Sequence, residues 1–131
     1  MKGLILPVVF LLFSQILSAQ HPVGIFHHHA GVGKPKLSGQ ASFDSASQHY
    51  TLRGAGYNVW FGRDEFQYLY KNLRGDFILT ANFEFAGAGG DPHRKIGWMV
   101  RPDTSDNARH VSAVSHGDGL TLLQWRACRA R

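Results

Sequence analysis

Between Gly54 and Gly90 the chain reads GAGYNVWFGRDEFQYLYKNLRGDFILTANFEFAGAGG, and its apolar rhythm is two rather than 3.6. Phe77, Leu79, Ala81, Phe83 and Phe85 recur at alternate positions, with Thr80, Asn82 and Glu84 between them. Successive strand side chains point to opposite faces, so this spacing predicts a strand with one face buried. Gly75-Asp76 just before it is a turn dipeptide. Upstream, Tyr57, Val59 and Phe61 alternate with Asn58 and Trp60 until Gly62-Arg63-Asp64-Glu65 breaks the pattern with charge. Phe66 to Tyr70 fits a strand better than a helical turn, because a run this short makes no stable helix and its aromatics favour sheets. The segments on either side are expected to be strands that pair with this stretch.

Those flanking segments carry the same signals. Gly31 to Gly39 is a loop rich in Gly, Lys and Pro. Ala41 to Phe43, the turn residues Asp44 to Ser47 and the return His49 to Arg53 make a β-hairpin by composition. Beyond the glycine-rich connection Gly87 to His93, Ile96, Trp98 and Val100 alternate with Lys95, Gly97, Met99 and Arg101. Pro102 to Asn107 turns the chain and His110 to His116 is strand-like. His116-Gly117-Asp118-Gly119 predicts a tight turn with positive φ at its glycines, before a last strand from Leu120 to Arg126. No segment past the N-terminus keeps a helical period, so an antiparallel β-sandwich or barrel is expected.

The N-terminus has a different character. Met1-Lys2 supply charge, Leu4 to Phe13 are almost wholly apolar, and Leu17-Ser18-Ala19 ends on a small residue. Residues 1–19 therefore read as a cleaved signal-peptide helix, too short to span ~30 Å of hydrocarbon comfortably, and residues 20–131 as one secreted or periplasmic domain. The formal net charge of +5 is scattered singly rather than gathered in a stripe, which argues against nucleic acid as a partner. Cys128 is the only cysteine, so no internal disulfide can form and the thiol is free or paired with another chain. Arg126 to Arg131 follow a strand without a closing turn and would leave a sheet edge unpaired, so the reading is a partial domain or an out-of-frame end.

The series GYNVWFGRDEFQYLYKNLRGDFILTANFEF, KIGWMVR and HVSAVSHGDGLTLLQWR resembles the concanavalin-A-like, or laminin-G-like, sandwich domains of bacterial exported proteins. It is most similar to the form that precedes a TolB-like β-propeller in Bacteroidetes-type secreted proteins. The resemblance runs from about Val23 to Trp125. It implies two stacked antiparallel sheets in a jelly roll, a concave face that holds a glycan in lectin and glucanase relatives, and a propeller partner in a longer protein. The family domain is longer than this chain, so part of any groove is expected to be missing.

Chemistry narrows these implications. Glycoside hydrolysis needs two carboxylates roughly 5–9.5 Å apart, and the glucanase branch carries its acids as ExDxxE on one strand. Here Glu65 and Glu84 are the only glutamates and neither begins that motif, while Asp76 and Glu84 are eight residues apart on one run. At ~3.3 Å per residue that separation is too long for a catalytic pair. Ser115, His116 and Asp118 have triad residue types, but as sequence neighbours on a strand end they cannot form the relay, and GxSxG is absent. Of His27-His28-His29 at most His27 and His29 share a face, with no Cys or HxxxH spacing to complete a metal site. Asp91 and Asp118 have the chemistry for calcium beside backbone carbonyls, though Asp in a glycine-rich turn is sufficiently explained as turn chemistry. Sugar recognition remains, with Trp60, Trp98 and Trp125 as stacking candidates and Arg63, Asp64, Arg101 and His116 as polar partners. The expectation is a non-catalytic binding or accessory module for a glycan or cell-envelope polymer, without catalytic residues or a required cofactor. A glycoside hydrolase whose acids lie elsewhere and a structural domain that docks a propeller are the alternatives.

Overall fold

Alternation and turn chemistry together produce nine short strands in the computed structural model, which describes residues 21–130. The leader read at residues 1–19 lies outside the described residues. The strands are β1 (His28–Val32), β2 (Gln40–Asp44), β3 (His49–Arg53), β4 (Val59–Trp60), β5 (Arg63–Asp64), β6 (Phe66–Tyr70), β7 (Lys95–Val100), β8 (His110–His116) and β9 (Thr121–Arg126). Every ladder is antiparallel, and no helix occurs among the described residues. The pairs are β1 with β6, β2 with β3, β4 with β5, and β7-β8-β9 as a three-stranded sheet. The all-β, antiparallel expectation therefore holds.

Local chemistry closes each hairpin. In the β2–β3 turn, Asp44 accepts from the Ala46 amide at 2.9 Å and from the Ser47 hydroxyl at 2.7 Å, and Gln48 takes a positive φ of 59°. Phe43 and Tyr50 are cross-strand partners whose rings stack at 4.4 Å. Between β8 and β9, Gly119 adopts φ of 93° and its amide donates to His116 O at 3.1 Å. Gly117 needs no positive φ there, so the turn takes one left-handed glycine where the sequence suggested two.

Strand β6 connects two sheets. The Tyr68 hydroxyl donates to Met99 O on β7 at 3.0 Å, and the Arg101 guanidinium lies over the Phe66 ring at 5.3 Å. The run Phe77–Phe85 departs from expectation: it has no ladder partner among the described residues. Its alternation is still physical. Phe83 meets Trp98 edge to face at 5.7 Å and Phe85 lies under Arg94 at 4.6 Å, while Ile78 on the other face is 94% exposed. Phe83 found an indole and Phe85 a guanidinium, Phe77 stays exposed rather than buried as the alternation predicted, and the backbone found no strand edge beside it.

The interior is unusual in what fills it. Only Val32, Ala108 and Val114 are buried apolar residues among those described, against Asp64, Glu65, His110, Ser112 and His116 as buried polar ones. Asp64, with no accessible surface, organises this centre. Its carboxylate takes a forked pair from Arg126, 2.6 Å to Oδ1 and 2.9 Å to Oδ2, and Arg101 approaches Oδ2 at 3.3 Å. Arg126 also donates to Ala108 O at 2.9 Å and to Phe61 O at 2.9 and 3.2 Å. Arg101 donates to Asp103 O at 2.8 Å and to Ser105 O. Gly33, at φ 73°, brings the end of β1 against Asp64 O, where any Cβ would collide.

Removing one partner of a buried pair leaves uncompensated charge, which typically costs about 3–5 kcal/mol. Asp64→Ala is expected to lower the unfolding free energy from urea titration by that measure or to abolish the cooperative transition. Arg63→Ala breaks an ion pair to Glu65 whose arginine side chain is 65% exposed, and its unfolding free energy should stay within about 1 kcal/mol of wild type. Equal losses in the two variants would refute the central role of Asp64.

Candidate functional site

The β7-β8-β9 sheet presents its polar side inward. Along β8, His110, Ser112, Val114 and His116 are buried, while Val111 and Ala113 face out. Register sets the outward rows: Val100, Val111 and Trp125 lie side by side, and Trp98, Ala113 and Leu123 form the next row. The Trp98 end is covered, by Phe83 and by Phe26 at 6.5 Å. The other end is open. There Trp125 is 67% exposed and forms one wall of a shallow cleft of about 390 Å³ whose lining also includes Val100, Arg101, Arg109, His110 and Arg126.

The electrostatics of this cleft follow from the buried network. Arg101 and Arg126 share one carboxylate, Asp64, and Arg109 has no ion pair or side-chain hydrogen bond among the described residues. Asp64 pairs with both buried arginines and Asp103 also acts on Arg101, so the exposed positive charge of the cleft is that of Arg109. Among the described residues no carboxylate lines the cleft. On the inward face of the sheet, beneath the cleft, His110 Nδ1 is buried without a hydrogen-bond partner among the described residues.

The sequence-predicted residues separate. Asp64 and Arg101 come together, but as the buried pair. Arg63 turns to Glu65 at 3.1 Å, and Trp60 stands 57% exposed on the β4–β5 turn against Phe61, its ring edge to face at 5.4 Å. That turn is tied to the cleft wall through the Arg126 bonds to Phe61 O. Trp98 is half-buried on the outward face, and His116 is buried on the inward face at the far end of β8. Arg109 and His110 were missed, because the cleft joins the segment that enters β8 to the end of β9 and no spacing in the sequence encodes that.

No protein-family model, curated protein or solved structure matches the chain. Function is therefore argued from the geometry.

Both buried β8 histidines resist protonation. Burial pushes His110 below its ordinary 6.5, with Asp64 opposing and Arg126 and Arg101 adding to the effect. Burial likewise pushes His116 down, aided by Lys95 and His93 and opposed by Asp118. The unfolded chain takes up these protons at higher pH than the folded chain does, so their stability contribution is complete above 6.5 and is lost as pH falls below it. The urea midpoint, measured in chelator, should fall between about pH 7.5 and about pH 5.5, and the His110→Asn, His116→Asn double variant should flatten most of that slope. An unchanged slope in the double variant would exclude these histidines as its source.

Proposed function

We propose that the chain is an exported, non-catalytic binding or accessory module, and that its ligand is a polysaccharide carrying acidic groups. One observation carries this reading: an exposed indole, Trp125, shares a cleft with Arg109, a guanidinium without an ion-pair partner among the described residues. An indole face takes the apolar face of a sugar ring, and an arginine takes a carboxylate or sulfate through paired N–H donors. With no carboxylate in the lining, the cleft is suited to holding a chain rather than cutting it. Membership of a concanavalin-A-like sandwich that works beside a propeller belongs to the same proposal. Its support is the resemblance in sequence and the contact of β6 with β7.

A docking face is the second reading, favoured by Val100, Val111 and Leu123, which lie exposed in the same rows. The two readings give different results. In affinity electrophoresis, gels containing a polyuronate should retard the protein while gels containing a neutral glucan retard it less, and added salt should weaken the effect. Trp125→Ala is expected to weaken retention at least about tenfold, or ~1.4 kcal/mol, and Arg109→Ala to remove the preference for acidic polymer. If the face instead docks protein, mass will rise with concentration in sedimentation and Leu123→Glu will abolish the rise. Retention that Trp125→Ala leaves untouched would sink the cleft as the binding site.

A further inference from the structure

At the far end of the same sheet two turns are laced together. Gly117 N donates to Arg94 O at 2.9 Å and Asp118 N to Pro92 O at 3.0 Å, which joins the loop entering β7 to the β8–β9 turn. Each turn is also closed internally, His93 N by Asp91 Oδ1 at 2.7 Å and Leu120 N by Asp118 Oδ1 at 3.0 Å. The lacing brings three side chains to one point. One ligand atom from each of His93, His116 and Asp118 lies within 4.8 Å of the others, and the two imidazoles are perpendicular with centroids 6.1 Å apart.

His116 supplies an independent reason to expect a ligand. Its residue is 8% exposed, and both ring nitrogens are buried without a hydrogen-bond partner among the described residues. A buried polar group left unmet costs about 1–3 kcal/mol, and native interiors seldom leave one without a cause. The nearby cations are held by groups other than the Asp118 carboxylate. Lys95, opposite His116 across the ladder, donates to Asn58 Oδ1 at 2.7 Å and to His93 O at 3.3 Å, and Arg94 donates to Gly89 O.

We propose that His93, His116 and Asp118 bind a divalent transition-metal ion of the zinc type. Two imidazoles and one carboxylate suit zinc, nickel or copper, whereas calcium prefers six to eight oxygens. Ligand distances of about 2.0–2.2 Å in a tetrahedral site require the donors to draw closer than they stand here. His93 and Asp118 are both exposed, and Asp118 Oδ1 is engaged with Leu120 N, so the donors left to draw closer are the His93 ring and Asp118 Oδ2. Three protein ligands leave a fourth position for water or another donor. The ion would clamp the entry of β7 to the β8–β9 turn. Asp91, read from the sequence as a partner of Asp118 for calcium, instead caps the His93 amide. Because His116 lies six residues along β8 from His110, the two ends stand ~20 Å apart. This site and the polysaccharide cleft therefore succeed or fail independently.

The test is zinc titration of the full chain by calorimetry, with cobalt absorption as a second readout. One site is expected, with a rise in melting temperature on zinc addition. His93→Ala and Asp118→Asn should each weaken zinc by at least about tenfold, and His29→Ala should leave it unchanged. His93 is exposed, so its variant tests the site even if His116→Ala fails to fold. Tetrahedral cobalt bands should appear in the wild type and vanish in His93→Ala. No zinc binding, binding indifferent to His93→Ala, or binding lost in His29→Ala would each overturn the assignment.

Discussion

One carboxylate holds the centre of this molecule. Asp64 sits on a two-residue strand, yet through Arg126 it reaches the end of β9, through Arg101 the end of β7, and through its own amide the loop before β8, at Asp106 O, 2.6 Å away. Burying such charges costs several kcal/mol per ion, and the Coulombic return repays that only when the remaining donors are satisfied. Here many are, by Phe61, Ala108, Asp103 and Ser105 carbonyls. The network thus adds modestly to net stability but specifies strongly which segments meet. An apolar interior of three small side chains could not do that alone.

The exposed chemistry follows from that interior. A sheet whose inward rows carry His110, Ser112 and His116 must send its alternate residues outward, and those are Val111, Ala113, Leu123 and Trp125. Two side chains from other segments, Phe26 and Phe83, cover the Trp98 end of these rows. At the Trp125 end the same apolar row meets the guanidiniums that the Asp64 network gathers. An apolar platform bordered by cations is the consequence of placing polar groups inside.

Much of the strand layout was legible because strand period and turn chemistry are local. Asp44 and Ser47 close the β2–β3 turn with their own side chains, and alternation from Lys95 to Val100 and from His110 to His116 needs only near neighbours. What the sequence hid was long-range. Phe77 to Phe85 alternate as a strand does, yet a strand also needs an edge to pair with, and alternation carries no information about that. Asp64 was read as charge at a break in the pattern and Arg101 as a polar position of the strand that begins at Lys95. Their burial depends on pairing across 37 residues, and for Arg126 across 62, which no spacing rule encodes. Charge near an aromatic suggested a surface site, and mutual neutralisation took the charges inside instead.

Strand β8 shows how one local rule yields two different sites. Its inward parity buries an imidazole at each end, and each leaves ring nitrogen unpartnered among the described residues. At the His110 end the surroundings are Arg101, Arg126 and Asp64, so added positive charge is opposed and a neutral hydrogen-bonding group is the compatible neighbour. At the His116 end a second imidazole and a carboxylate converge, while Lys95 and Arg94 are engaged elsewhere. The same desolvated side chain thus meets two guanidiniums and a carboxylate at one end and a second imidazole and a carboxylate at the other. What differs between them is the charge that the neighbouring turns bring, and those turns are closed by Asp103, Asp91 and Asp118 rather than by the strand itself.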